Sequence, residues 1–373
     1  MAWLLDREIK RELPEEWNGI VPTEIFMQES QRIVEKAMQE GVILRILGGL
    51  SIAIHCQEYR DFAQKLGRIG TGVIEGQEYS DIDLISYRGC KEKVRELFDK
   101  LGYAKRRATL STAASERQIY FHPKGWFYVD VFFDKLLVAN HPIDFKGRLE
   151  LDYPTITVTD MLLEKIQMWE AFSPKDLKDC LLLLKAHNIS QKTEKESIDA
   201  SYVAKLLAQD WGFWYTATTN LKKIKIFLTE IDKLGEEASI DPKQIGREDR
   251  EEIIQKIDKI LEAIDKEPKS FGWKMRAKIG TKKQWYNPVE RPETVGGFGI
   301  WETLLKMKSD TSVKSEKLMN KALTCILGFA GHRARVPPDP IPNSEVKPRS
   351  VPGCSVVFGH ANPGKLAAPP LGL

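Results

Sequence analysis

Ser80-Asp81-Ile82-Asp83-Leu84-Ile85-Ser86-Tyr87 is the stretch on which the fold turns. Side chains on a β-strand alternate between faces, so a strand over Asp81 to Tyr87 sets Asp81 and Asp83 on one side and turns Ile82 and Leu84 into a core. Two carboxylates then stand side by side at a strand end. Like charges at that spacing repel, and a divalent cation with a taste for hard oxygen ligands, Mg²⁺ or Mn²⁺, relieves the repulsion. The pair alone fits two solvated strand-end acids just as well.

A third acid adds weight. Asp130 interrupts the run Trp126-Phe127-Tyr128-Val129-Asp130-Val131-Phe132-Phe133, where a buried charge needs compensation. Either a metal shared with Asp81 and Asp83 supplies it, or an arginine such as Arg117 forms a buried pair. Upstream, Gly48-Gly49-Leu50-Ser51 links a strand to a helix. Glycines there let backbone N–H groups and the Ser51 hydroxyl approach a triphosphate at a helix N-terminus.

Outward from these motifs the pattern is mixed α/β. Apolar positions at Ile25, Phe26, Ile33, Val34 and Ala37 predict a helix over 22–40, closed at Gly41. A strand over 42–47 and a helix over 50–59 follow. Residues 60–79, with four glycines, read as a long loop. A helix is expected over 91–100, and 118–122 is expected to pair with 126–133 as a hairpin. From Thr159 the spacing is helical throughout. Ser173-Pro174 with Asp176 three residues on marks one helix start, and further helices are expected over 199–209, 212–232 and 247–265. The expected organisation is therefore a small mixed β-sheet with flanking helices (1–190), an all-helical domain (191–308) and a disordered tail (309–373). Nine of the chain's 19 prolines fall in its last 43 residues.

The bulk properties exclude more than they assign. The 373 residues are 42% hydrophobic and 29% charged, with a net charge of +3, which fits neither a fibrous chain nor one that grips nucleic acid along its whole length. No Cys-x-x-Cys pair, signal peptide or membrane span is read, so a cytoplasmic location is expected.

The series Gly48-Gly49-Leu50-Ser51, Ser80-Asp81-Ile82-Asp83-Leu84 and Val129-Asp130-Val131 resembles the polymerase-β-like nucleotidyltransferases, especially their abortive-infection toxin-like branch. Asp160-Met161-Leu162-Leu163-Glu164-Lys165 and Pro174-Lys175-Asp176-Leu177-Lys178-Asp179 look like that branch's lysine helix and Lys-Asp-x-x-Asp segment. Residues 44–288 are similar to an uncharacterised bacterial group of predicted nucleotidyltransferases. The likeness is carried by Arg45-Ile46-Leu47-Gly48-Gly49, Asp210-Trp211-Gly212 and Glu267-Pro268-Lys269-Ser270. The stretch from Gly49 to Asp81 is longer than usual in the superfamily.

The resemblance implies a nucleotidyltransferase fold that uses a nucleoside triphosphate such as ATP with Mg²⁺ or Mn²⁺. Asp81 and Asp83 would coordinate two metals, and Asp130 would bind the catalytic one and help deprotonate an attacking hydroxyl. Lys165 would reach a phosphate, against the alternative of a snorkelling lysine at the core edge. Asp176 reads more readily as a capping acid, which leaves Asp179 as the nucleotide-binding candidate of the two.

His55, His122, His141 and His187 read as ordinary histidines, and Lys105-Arg106-Arg107 as a solvated turn. Six basic residues interleave with Phe271, Trp273, Trp285 and Tyr286 over 269–286, a composition suited to RNA. The expected activity is transfer of a nucleoside monophosphate to an RNA, protein or small-molecule acceptor. Two alternatives stand beside it: a non-catalytic module that holds NTP or a partner within a toxin–antitoxin pair, and an RNA-binding protein.

Overall fold

A computed structural model of the chain describes residues 5–10, 12–69, 77–107, 117–137, 139–169, 172–235 and 238–288. The tail expected over 309–373 lies outside them. The described chain is mixed α/β with a small mixed sheet.

Five strands form the main path of that sheet: β1 (Leu44–Leu47), β2 (Asp81–Ser86), β3 (Ala104–Lys105), β4 (Gln118–Phe121) and β5 (Tyr128–Phe133). Their spatial order is β1-β2-β5-β4-β3, and two short strands, β6 (Lys135–Leu136) and β7 (Ile143–Asp144), extend from β5. Only β2 and β5 run parallel; the other pairs are antiparallel. The expected hairpin is the β4–β5 pair, with Ile119 opposite Asp130.

Strand alternation divides the sheet between two apolar clusters. Ile82 and Leu84 of β2, with Val129, Val131 and Phe133 of β5, meet Phe26, Ile33 and Val34 of α1 (Thr23–Gln39) and Val94 and Phe98 of α4 (Lys91–Lys100). The opposite parity, Ile85 and Phe132, joins a second cluster with Leu162 and Ile166 of α5 (Val158–Ile166) and Leu181 of α6 (Pro174–Ala186). Asp81, Asp83 and Asp130 share the parity of Ile85 and Phe132, so all three lie on this second face.

Two sequence expectations change. The helix expected over 50–59 stops early: α2 spans Gly48–His55, and a short turn of helix over Gln57–Tyr59 leads into α3 (Arg60–Lys65). The loop expected over 60–79 therefore contains a helix, and Gln77, Glu78 and Tyr79 at its end are buried. Phe62 and Ala63 drive this by packing into the second cluster, an amphipathic signal too short to stand out among charges and glycines.

The later half is not purely helical either. β8 (Asn188–Ser190) and β9 (Ser197–Asp199) form a two-stranded parallel pair between α6 and α7 (Ala200–Leu207). Beyond them α8 (Trp211–Thr229), α9 (Ile231–Leu234), α10 (Arg247–Lys266) and α11 (Phe271–Ile279) complete the described chain. Ile253, Ile257, Ile260 and Ile264 of α10 belong to the same continuous cluster as Leu47, Ile85 and Phe132 of the sheet, so the core runs across residue 190 without interruption. Among the described residues no helix is long and apolar enough to cross a membrane.

Candidate active site

β2 and β5 run in parallel register with Asp83 directly opposite Asp130 and Asp81 opposite Tyr128. Three carboxylates thus occupy neighbouring positions on one face. A fourth comes from α5: the Glu164 carboxylate accepts the Gly48 N–H at 3.2 Å, at the positive end of α2. Burial, followed by the charges of Asp81, Asp130 and Glu164, holds the Asp83 carboxyl well above the usual carboxylate range. Burial also pushes Asp130 up to about 6; Arg117 and Arg106 oppose the rise and Asp81 adds to it.

Gly48 is required by this crowding. Its φ is +73°, a conformation that disfavours L side chains, and a Cβ there would lie 2.8 Å from Asp83 Oδ2. At Gly49 a Cβ would meet Arg68 Nη2 at 2.9 Å and the Tyr79 ring at 3.2 Å. The glycine pair therefore lets one turn of backbone pass between an acid on one side and an arginine on the other. The Ser51 hydroxyl is fully buried and donates to Gly48 O at 2.8 Å, so its proton ties the turn together and is not directed at a ligand.

Asp130 is divided between two roles that the sequence left open. Its Oδ2 accepts from Arg117 Nη1 at 2.8 Å, the buried pair considered as the structural alternative. Its Oδ1 is buried and has no hydrogen-bond partner among the described residues. An orphaned carboxylate oxygen facing two further acids suits a hard cation. Among the described residues, however, no three His, Cys, Asp or Glu side chains are drawn together into a ready-made cage. The donor chemistry fits a divalent ion, while Arg117 competes for one of the donors.

A second charged group lies behind the glycine turn. Lys165 Nζ sits 3.1 Å from Asp179 Oδ2 and 3.5 Å from Asp176 Oδ1; it is buried and paired, so it does not snorkel. Burial alone would lower the lysine, but Asp179, Asp176 and Glu164 outweigh it and hold the ammonium firmly charged. Arg68 Nε donates to the other Asp179 oxygen. Burial would raise the Asp179 carboxyl, yet Arg68 and Lys165 bring it down to about 2. Asp176 does cap its helix: Ser173 Oγ accepts Asp176 N–H at 3.2 Å, and Asp176 Oδ2 accepts Ser173 N–H at 3.0 Å. Asp176 thus serves the cap with one oxygen and Lys165 with the other.

Arg68 and Glu164 are the residues the sequence reading missed. Arg68 falls inside what read as a loop. Glu164 had a signal, since it stands beside Lys165 in a helix whose other side chains are mostly buried, but its partner is a backbone group 116 positions earlier. Both line up with Gly48 and Gly49, and a cleft of about 440 Å³ between α1, α2 and α3 ends at Gly49, Arg68 and Asp179.

The other candidates go elsewhere. Arg106 lies next to β3, where its N–H bonds Ile119 O at 2.8 Å, and its charge reaches Asp130; it is part of the sheet edge and not of a free turn. His122 stacks on Trp126 and His141 on Phe213. His55 and His187, far apart in sequence, both contact Glu196, at 2.8 Å and 3.6 Å. Trp273, Trp285 and Tyr286 are partly buried and pack against Trp169, Trp211 and Tyr215, while Phe271 of the same segment is exposed. Searches against protein-family models, curated proteins and solved structures gave no match to this chain.

Proposed function

We propose that this chain is a metal-dependent nucleotidyltransferase that moves a nucleoside monophosphate from an NTP to an acceptor and releases pyrophosphate. One observation carries the reading: Asp83 and Asp130 face each other across the one parallel strand pair of the main sheet path, with Asp81 on the same face, against a glycine turn that opens a helix. Asp81, Asp83 and Asp130 would hold Mg²⁺ or Mn²⁺, whose charge offsets the phosphates and steadies the attacking and leaving oxygens of an in-line displacement.

The chain's own groups have separable tasks. Gly48 and Gly49 let backbone come close to the phosphates. Lys165 and Arg68, fixed by Asp179, present positive charge beside that turn. Asp130, held by Arg117 through Oδ2, would bind the metal through Oδ1, and the bound charge would ease loss of the acceptor's hydroxyl proton to solvent. The acceptor oxygen then bonds to the α-phosphorus as the bond to the bridging oxygen breaks. The nucleotidyltransferase fold and the toxin–antitoxin setting are inferred from the sequence motifs.

A second reading, an NTP- or partner-holding module without turnover, draws on two contacts. Arg117 engages Asp130 Oδ2, and Glu164 occupies the Gly48 N–H that a phosphate would use. Incubating the protein with labelled NTPs, Mg²⁺ or Mn²⁺ and total cellular RNA or protein, beside an Asp81→Ala, Asp83→Ala control, separates the two. Transfer is expected, and lost in the control. No transfer to any acceptor, with NTP binding unchanged in the control, refutes the enzyme.

A further inference from the structure

α11 carries an apolar row that the proposed chemistry does not use. Phe271, Met275 and Ile279 are 80%, 46% and 45% exposed, and their spacing of four places them along one line, a turn apart. The helix is nonetheless anchored. Its other face sends Trp273 and Ala277 into the aromatic cluster of Trp169, Trp211 and Tyr215, and Ser270 Oγ accepts the Trp273 N–H at 3.1 Å as its cap.

Charge flanks the row on one side only. Lys274 and Lys278 each precede a member of the row by one residue, which sets them in a second line directly beside it. Among the described residues neither is paired with an acid, and the helix itself contains none. The other flank is Gly272, which faces open space, and then Arg276. That arginine lies over Trp211 at 4.8 Å and donates to Gly280 O and Lys283 O at 2.6 Å, so it is turned inward.

The one-sided arrangement selects among occupants. A helix lying in an anionic lipid surface carries a polar face rich in Lys and Arg opposite its apolar one, whereas the face of α11 opposite this row is packed into the aromatic cluster. A single-stranded nucleic acid needs successive stacking rings along its path, whereas Phe271 is the one ring of the row, Met275 and Ile279 are aliphatic, and Trp273 is partly buried against the aromatic cluster. A second helix with an apolar line and an acidic line satisfies both of the lines present here, by interlocking side chains a turn apart and pairing its carboxylates with Lys274 and Lys278.

We infer that α11 is a docking face for an acidic amphipathic helix of a partner protein. The test titrates the full chain into two labelled synthetic helical peptides of equal length, each with leucines a turn apart. One carries glutamates beside the leucines and the other lysines. Fluorescence anisotropy should show the glutamate peptide binding about tenfold tighter or better. Met275→Ser with Ile279→Ser should weaken it about tenfold, and Lys274→Glu with Lys278→Glu should invert the preference. These side chains are exposed, so an unchanged melting temperature controls for folding. The inference is overturned if the peptides bind alike or not at all. It is equally overturned if phosphatidylglycerol vesicles or a single-stranded RNA bind at the same residues instead, or if Met275→Ser with Ile279→Ser converts a self-associated form of the chain to monomer.

Discussion

Replacing Asp130 by asparagine should make the metal-free protein more stable at neutral pH. In the folded chain this acid titrates at about 6, against ~3.9 for an unfolded aspartate. Ionising it at pH 7 therefore opposes folding by about 2 pH units, on the order of 3 kcal/mol at ~1.4 kcal/mol per unit. Asparagine keeps an oxygen for the Arg117 Nη1 contact at 2.8 Å, and the pull of that guanidinium on the charged acid is already contained in the value of about 6. The net gain is about 3 kcal/mol, which raises Tm by roughly 4–5 °C for a chain of this size. Because the folded form binds the proton more tightly than the unfolded form, wild type gains stability as pH falls from 7 through 6. Below about pH 4 both states are protonated and the advantage of Asp130→Asn disappears. Thermal unfolding in chelator at pH 7.5, 6 and 4.5 measures this. Repeating it with Mn²⁺ should raise wild type and leave Asp130→Asn unmoved. A lower Tm for the variant at pH 7.5 would refute the reasoning, since it would mean that the Arg117 pair outweighs the burial and repulsion of the acid.

Two further substitutions probe the same region. Gly48→Ala must hold a side chain at φ +73° and place its Cβ 2.8 Å from Asp83 Oδ2; the backbone penalty of about 1–2 kcal/mol should appear in urea unfolding, together with loss of NTP binding by calorimetry. Asp179→Asn leaves Arg68 and Lys165 buried beside an uncharged amide, and should cost about 3–5 kcal/mol at pH 7. That carboxyl titrates at about 2, so its contribution is complete above the ordinary aspartate range and is lost as pH falls through 2. The gap between variant and wild type should accordingly close in strong acid, as read by circular dichroism.

The alternation of β2 and β5 was legible because a period of two assigns every side chain to a face from sequence alone. Asp81 and Asp83 therefore follow from Ile82 and Leu84, and Asp130 from Val129 and Val131. The isoleucine stripe of α10 was legible for the same reason, at helical period. What periodicity does not give is the partner. Asp179 meets Arg68 across 111 positions of sequence, and Glu164 meets a backbone N–H with no side chain to mark it. Arg117 could be named as a counter-ion for Asp130 because it lies one strand away, close enough for a hairpin to bring it near. The helix Arg60–Lys65 escaped because six residues hold less than two turns, too few for a moment to emerge over the surrounding charges.

The unbroken apolar cluster from Leu47 to Ile264 has a consequence for synthesis on the ribosome. Asp83 and Asp130 emerge early, but α5 and α6, which carry Lys165 and Asp179, are seated partly by isoleucines made some seventy to a hundred residues afterwards. At roughly 5–20 residues per second, the nascent chain spends several seconds with its acids exposed and its cations unplaced. A product truncated before α10 thus lacks part of the packing that seats Lys165 and Asp179, and those two side chains take their places only once α10 has been delivered to close the core.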